Sequence, residues 1–167
     1  MRLESSFPRD LRDTSDYYKW ISQQNRAILL VVKIRGGKTV GYIVGAELEK
    51  FGNLPGVRQD SHFGLRDTVY AESIALLREY RGKGIGRRLI KAFLLRARRT
   101  KFRYFSAHAR RGFAERLGGT IIWHTRNYYG THLEYEYFRR ELRTSPFKRE
   151  SKGQHRGSRR VDTVTVK

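Results

Sequence analysis

The sequence predicts an α/β domain, in the α+β sense of a mixed central sheet with flanking helices. Three observations predict it. Two β-rich apolar runs, "AILLVVKI" and "TVGYIVGAEL", flank a Gly-Gly turn, which is the pattern of a hairpin. An amphipathic run follows "EYRGKGIGRRL": Leu89, Ile90, Phe93, Leu94 and Ala97 fall on one helical face. Two more strand-like segments, "TVYAESIALL" and "FRYFSAH", bracket that helix, so strand, helix and strand alternate.

The elements follow in order. Residues 1–26 are polar, and "DYYKWISQQN" predicts a short helix opening near Asp16. The hairpin strands span 27–34 and 39–48; Gly41 and Gly45 in the second imply a bulge or a close backbone approach. Residues 50–67 form a loop-rich excursion of a length that is often functional. Strands are expected at 68–77 and 102–108, and "RRGFAERLGG" is a short helix stopped by glycines. "TIIWHT" and "HLEYEYF" are two further strands around the turn-like "RNYYGT". In the second, Leu133, Tyr135 and Tyr137 alternate with Glu134 and Glu136, giving two distinct faces. From Arg143 apolar residues thin out and eight cations stand against two acids. Residues 143–167 are therefore expected to be a basic, disordered tail behind a domain of residues 1–142.

Composition bounds the function. A chain of 167 residues, 38% of them hydrophobic, suits one domain with one core. It holds no apolar run near the ~18 residues of a membrane span, and "MRLESSFPRDLRD" lacks the apolar segment of a leader. No membrane association and a cytoplasmic location are expected. The absence of cysteine excludes disulfides, thiol nucleophiles and thiolate metal sites. The five histidines show no ligand spacing, so no metal is expected. A net charge of +20 points to polyanionic partners: RNA, DNA, the ribosome, an acidic membrane surface or a multiply phosphorylated cofactor, against a plain solubility surface or basic tail. The tail carries only the smaller part of that charge.

The stretch from Arg81 to Gly86 sits between a strand and a helix. A helix start leaves about four backbone N–H groups without intrahelical partners, and the macrodipole adds about half a positive charge there. Glycines let the backbone approach a ligand closely and take positive φ. Together these make an anion site, to which Arg81 and Lys83 add charge. A solvated turn is the alternative. The glycine order is neither that of a Walker loop nor that of a dinucleotide fingerprint.

Arg81-x-x-Gly84-x-Gly86 resembles the [RQ]-x-x-G-x-[GA] signature of the GCN5-related N-acetyltransferases. "AESIALLREYRGKGIGRRLI" resembles that family's fourth strand, acyl-CoA loop and third helix, and "RYFSAHARRGFAERLGG" its fifth strand and the helix after it. The hairpin resembles strands two and three, so the likeness runs from about Ala27 to Leu142. It implies a sheet splayed between strands four and five, with acetyl-CoA as co-substrate. It also implies that Arg81, Gly82, Lys83, Gly84, Ile85 and Gly86 hold the diphosphate, and that the backbone of Ile74, Ala75 and Leu76 meets pantetheine.

Acetyl transfer to an amine needs a base, an oxyanion donor and, where the leaving group requires it, an acid. Glu72, in the strand before the loop, is the first candidate base, against a plain half-exposed strand glutamate. His108, at the end of the next strand, is the second, against a structural hydrogen bond or a coenzyme contact. Leu76 N–H is the expected oxyanion donor. The family's usual acidic tyrosine falls at Ala114, beside Phe113, and neither can donate a proton. Tyr128 and Tyr129 are the candidate substitutes. Acids are dense from Gly41 to Glu72, where Glu47, Glu49, Asp60, Asp67 and Glu72 face three cations, which suggests a locally negative acceptor mouth. The expected function is acetyl transfer to a primary amine of a protein, peptide or small molecule, by a monomer or homodimer. Alternatives are an RNA-linked acceptor, such as a ribosomal protein or an aminoacyl-tRNA, and a non-catalytic module that binds CoA or nucleic acid.

Overall fold

The computed structural model describes residues 15–128 and 132–142, and the backbone of 162–165. Helix α1 (Ser15–Gln23) leads into the hairpin β1 (Ile28–Lys33) and β2 (Thr39–Glu47). Strand β3 (Thr68–Leu76), helix α2 (Ile85–Arg99) and strand β4 (Tyr104–Arg110) form the expected alternation. A single helical turn, α3 (Phe113–Arg116), and strands β5 (Thr120–Thr125) and β6 (Tyr135–Glu141) follow, with β7 (Asp162–Thr165) last. The sheet order is β5-β6-β4-β3-β2-β1-β7. It is mixed: β3 runs parallel to β4, and β7 parallel to β1, among antiparallel neighbours. The mixed sheet and flanking helices are those the sequence predicts.

Apolar periodicity sets the two layers. Leu89, Phe93 and Ala97 of α2 are buried, and pack with Val40, Ile43, Val69 and Phe105 of the sheet in one core. On the other face Ile21 of α1 packs with Tyr42, Val44, Leu48, Tyr70 and Tyr137 in a second. A Cβ at Gly45 would collide with the carbonyl of Tyr70 and lie 2.9 Å from Phe93 Cζ. The bare glycine therefore lets β2 approach β3, as its place in the strand suggested.

Three elements differ from expectation. Strand β4 starts two residues late, because Phe102 N–H bonds Ala97 O and closes the end of α2, while Arg103 and Tyr104 N–H both bond Asp67 O. Strand β6 starts at Tyr135 rather than His132, and Glu136 is buried beside Tyr137 instead of facing solvent. Its Oε2 accepts the Gly112 N–H at 3.1 Å, so the backbone ahead of α3 satisfies it. Finally, the stretch expected to be a basic tail contains β7, paired with Leu30–Lys33. An open β1 edge offers unpaired N–H and C=O groups, and the alternation in "VDTVTV" suits it.

Candidate active site

The site is built where β3 and β4 part. They pair only from Thr68↔Tyr104 to Ala71↔Ala107. At that point the β2–β3 register shifts, with Val44 opposite Ser73 but Gly45 opposite Ala71. Glu72 is thus the extra residue of a β-bulge, a device that bends a strand and re-aims a side chain. Beyond it β3 keeps only β2 as a neighbour, and β4 keeps only β6. A wedge opens between them.

Strand alternation decides which backbone groups face this wedge. Leu77 N–H bonds Val40 O on the β2 side. Peptide groups alternate along an antiparallel pair, so those of Ala75 turn to β2, and those of Ile74 and Leu76 turn into the wedge. Leu76 O accordingly accepts a bond from Arg81 Nε at 3.0 Å. Of the three residues expected to offer backbone groups, Ile74 and Leu76 fit that part. Ala75 lines the wedge, but its peptide groups are committed to the sheet.

The glycine loop closes the outer end. Gly84 is the N-cap of α2, with φ +73° and no side-chain cap. A Cβ at Gly82 or Gly84 would meet nothing within 4 Å, so the cradle is open above both. The first helical bond is Arg88 N–H to Gly84 O at 3.1 Å, which leaves the N–H groups of Ile85, Gly86 and Arg87 to an outside acceptor. Ile85 itself is buried, so its side chain anchors the turn while its amide faces out. Arg87 is an addition to the expected loop set; only the position of the helix start reveals it. Lys83 lies 5.6 Å from the Tyr80 ring.

A cleft of about 1150 Å³ runs from this loop along α2. Seven cations and no carboxylate line it among the described residues. It meets an inner chamber of about 510 Å³; Ile74, Ile90, Arg110, Phe113 and Tyr135 line both. Glu72, His108 and Tyr128 line the chamber, so the wedge unites them with the loop. Tyr129 lies outside the described residues. Sequence reasoning missed Tyr17 of α1 and Asn53 of the excursion, both chamber residues, because contacts across the sheet leave no trace in local spacing.

His108 is held at both nitrogens. Nε2 lies 2.9 Å from Pro55 O, and Nδ1 lies 2.7 Å from the Tyr70 hydroxyl. A carbonyl only accepts, so Nε2 carries the proton and Tyr70 donates to Nδ1. Burial lowers the pKa of the ring to about 4, against a smaller opposing effect of the Pro55 bond. The neutral ring stacks on Tyr128 at 4.8 Å, and Tyr128 stacks on Tyr135 at 4.6 Å. Nearby, Tyr42 donates to Tyr18 at 3.0 Å and lies 3.2 Å from Ser73 Oγ. Burial raises the Tyr18 hydroxyl well above its ordinary range.

The acids expected at the acceptor mouth are mostly spent within the fold. Glu47 bonds Arg26 at 3.1 Å. Glu49 Oε1 accepts the amides of Gly64 and Arg66 at 3.0 and 2.8 Å. Asp60, 3% exposed, binds Arg139 and accepts Tyr137 O–H at 2.7 Å. Asp67 holds His62 at 3.0 Å. Of the five, only Glu72 lines the chamber, so a broad negative mouth is replaced by one carboxylate. No group of three or more His, Asp or Glu among the described residues could hold a metal ion. No helix among them is long and apolar enough to cross a membrane.

The splayed mixed sheet thus holds a cleft with an uncapped glycine turn at its rim, which suits an anion, and a carboxylate at its vertex. The family model of the acetyltransferase (GNAT) family matches residues 1–119, and the chain belongs to that family of acetyltransferases. Among curated proteins none matches the chain. Its fold is similar to that of the ribosomal-protein-S18-alanine N-acetyltransferase from Escherichia coli, at 17% identity over 86% of this chain and 85% of that one, with a TM-score of 0.57. It is also similar to the ribosomal-protein-alanine N-acetyltransferase from Brucella melitensis, at 22% identity over 77% and 78% of the two chains and a TM-score of 0.54. Ard1 from Thermoplasma volcanium matches at 21% identity over 65% of this chain, with a TM-score of 0.49; the chain spans 66% of its length.

Proposed function

We propose that the chain moves the acetyl group of acetyl-CoA to a primary amine of a protein, peptide or small molecule by direct attack. One observation carries the reading: the glycine turn, through Arg81, Gly86 and Arg87, lines a cleft that meets the chamber lined by the bulged Glu72. The residues suit the coenzyme. Free amides at a helix start and the positive end of its dipole match a diphosphate, and Arg81 and Arg87 line the cleft beside them. The peptide groups of Ile74 and Leu76 suit the amides of pantetheine.

Bound there, acetyl-CoA supplies an activated thioester carbonyl. The chain's own residues do the rest. Glu72 takes the proton an ammonium must shed before it can attack; a lysine amine has a pKa of about 10.4 and an α-amine about 7.7–8.0. Leu76 N–H, aimed into the wedge, stabilises negative charge on the carbonyl oxygen. Tyr17, Ser73, Tyr128 and Tyr135 bring hydroxyls to the chamber, and to Tyr128 we assign the proton that the departing thiolate takes up. His108, with both nitrogens engaged, fixes the ring of Tyr128 and the Pro55 segment; we read it as a positioning residue. Phe113, next to the place of the family's usual tyrosine, lines both cavities and keeps water from the reacting centre.

Two of the fold relatives are named for acting on an alanine of ribosomal proteins, which favours a protein α-amine over a metabolite. A thiol-release assay with acetyl-CoA and a panel of amines, N-terminal peptides included, tests the reading. Turnover with an α-amine peptide is expected. Coenzyme binding with no turnover on any amine would leave a binding module instead.

A further inference from the structure

The cleft is longer than the coenzyme that the loop would seat. Arg98, Arg116 and Arg140 line its far end. Arg98 lies eleven positions along α2 from Arg87, about 17 Å at 1.5 Å per residue. A single ribose separates the coenzyme's diphosphate from its remaining phosphate, which is a fraction of that distance. The pantetheine arm leaves in the other direction, toward Glu72. The far cations are therefore not accounted for by the coenzyme.

Their setting is specific. Six of the seven cations lining the cleft are arginines, Lys91 being the exception. Leu94, Leu95 and Leu117 lie among the far three, and Leu95 is 48% exposed. The sequence neighbours Glu115 and Glu141 do not line the groove. It stays open because α3 is one turn, Phe113–Arg116, ended at once by the Gly118–Gly119 pair. A guanidinium fork matches a phosphate and stacks on flat rings, and an apolar floor between such forks accepts base faces. Grooves that bind single strands combine a cationic track with flat faces on which bases stack, and here the guanidinium planes supply those faces.

We propose that the groove between α2 and α3 binds a single-stranded nucleic acid, its phosphates on Arg98, Arg116 and Arg140. The inference rests on the reading of the Gly84 loop as the diphosphate seat. It places the acceptor of this enzyme beside RNA, and it gives a role to folded-state charge that acetyl transfer alone does not need. A purely acidic peptide would satisfy the cations but leave the leucine floor without a partner.

The test is fluorescence anisotropy of the full chain with a labelled 12-nucleotide single-stranded RNA, and DNA of the same sequence in parallel, across a salt series. The triple variant Arg98→Glu/Arg116→Glu/Arg140→Glu should bind at least tenfold more weakly, with a salt slope shallower by about 2, at ~0.7 per lost phosphate contact. A control with the same charge change elsewhere, Arg35→Glu/Lys38→Glu/Lys50→Glu, should keep most of the affinity. Thermal stabilisation by CoA, measured on each protein, should persist in the triple variant, which shows both that it is folded and that the coenzyme seat is separate. Equal RNA binding by the two variants overturns the proposal. So does loss of RNA binding under saturating CoA, or displacement by polyglutamate as effective as by RNA. Absence of CoA stabilisation in the unmodified chain would instead strike the coenzyme reading, whatever the RNA result.

Discussion

Tyr70 donates a hydrogen bond to Nδ1 of His108 across 2.7 Å, from β3 to β4, where the two strands are about to part. The other face of the imidazole is tied to Pro55. One ring thus joins the vertex of the wedge to the excursion that walls the chamber. Nδ1 can accept from Tyr70 only while the ring is neutral.

That requirement gives a pH dependence. The folded pKa, about 4, lies below the ordinary 6.5. Between these values the unfolded chain binds the proton and the folded chain does not, so stability rises with pH. The contribution is fully present above pH 6.5 and is lost as pH falls toward 4, about 3 kcal/mol at most at 1.36 kcal/mol per pKa unit. Urea unfolding at pH 7 and pH 5 should show it, and His108→Gln should flatten the slope. An equal slope in both proteins would remove His108 from this role.

Glu72→Gln should lower kcat by about 10²-fold or more, the usual loss for a general base, and leave KM for acetyl-CoA nearly unchanged. Steady-state thiol release checks it. Wild-type kcat in this variant would mean that the bulge serves only to bend the strand.

Gly84→Trp fills the open cradle, so thermal stabilisation by CoA should vanish. Gly84→Ala separates bulk from backbone: a left-handed φ in a residue with Cβ costs about 1–2 kcal/mol, yet a methyl there meets nothing. The alanine variant should melt earlier but keep most of its CoA shift. Full stabilisation of the tryptophan variant by CoA would place the diphosphate elsewhere.

Asp60→Ala should destabilise the fold by about 3 kcal/mol, because it leaves Arg139 partly buried without its partner. For a chain of this size that is a Tm lower by roughly 6–12 °C. Tyr137 also loses its acceptor. An unchanged Tm would show that the pair adds nothing to the hold on the excursion.

Much of this was legible in the local order of residues. A Gly-Gly turn between β-branched runs, an apolar stripe at helical spacing and glycines beside cations describe elements whose causes lie within a few positions: turn geometry, side-chain period, backbone freedom. The hairpin, α2 and the Arg81–Gly86 loop were readable for that reason, and so was the family. The tertiary structure alone decided the rest, because it depends on which distant groups meet. Only the register shift at Val44 and Gly45 singles out Glu72 as the bulged residue. Only the contact with Arg26, Arg139 and His62 turns three acids of an apparent negative mouth into internal ties. A carboxylate's charge is written in the sequence; whether that charge faces a substrate or is neutralised inside the fold is set by the partner that packing brings within about 3 Å of it.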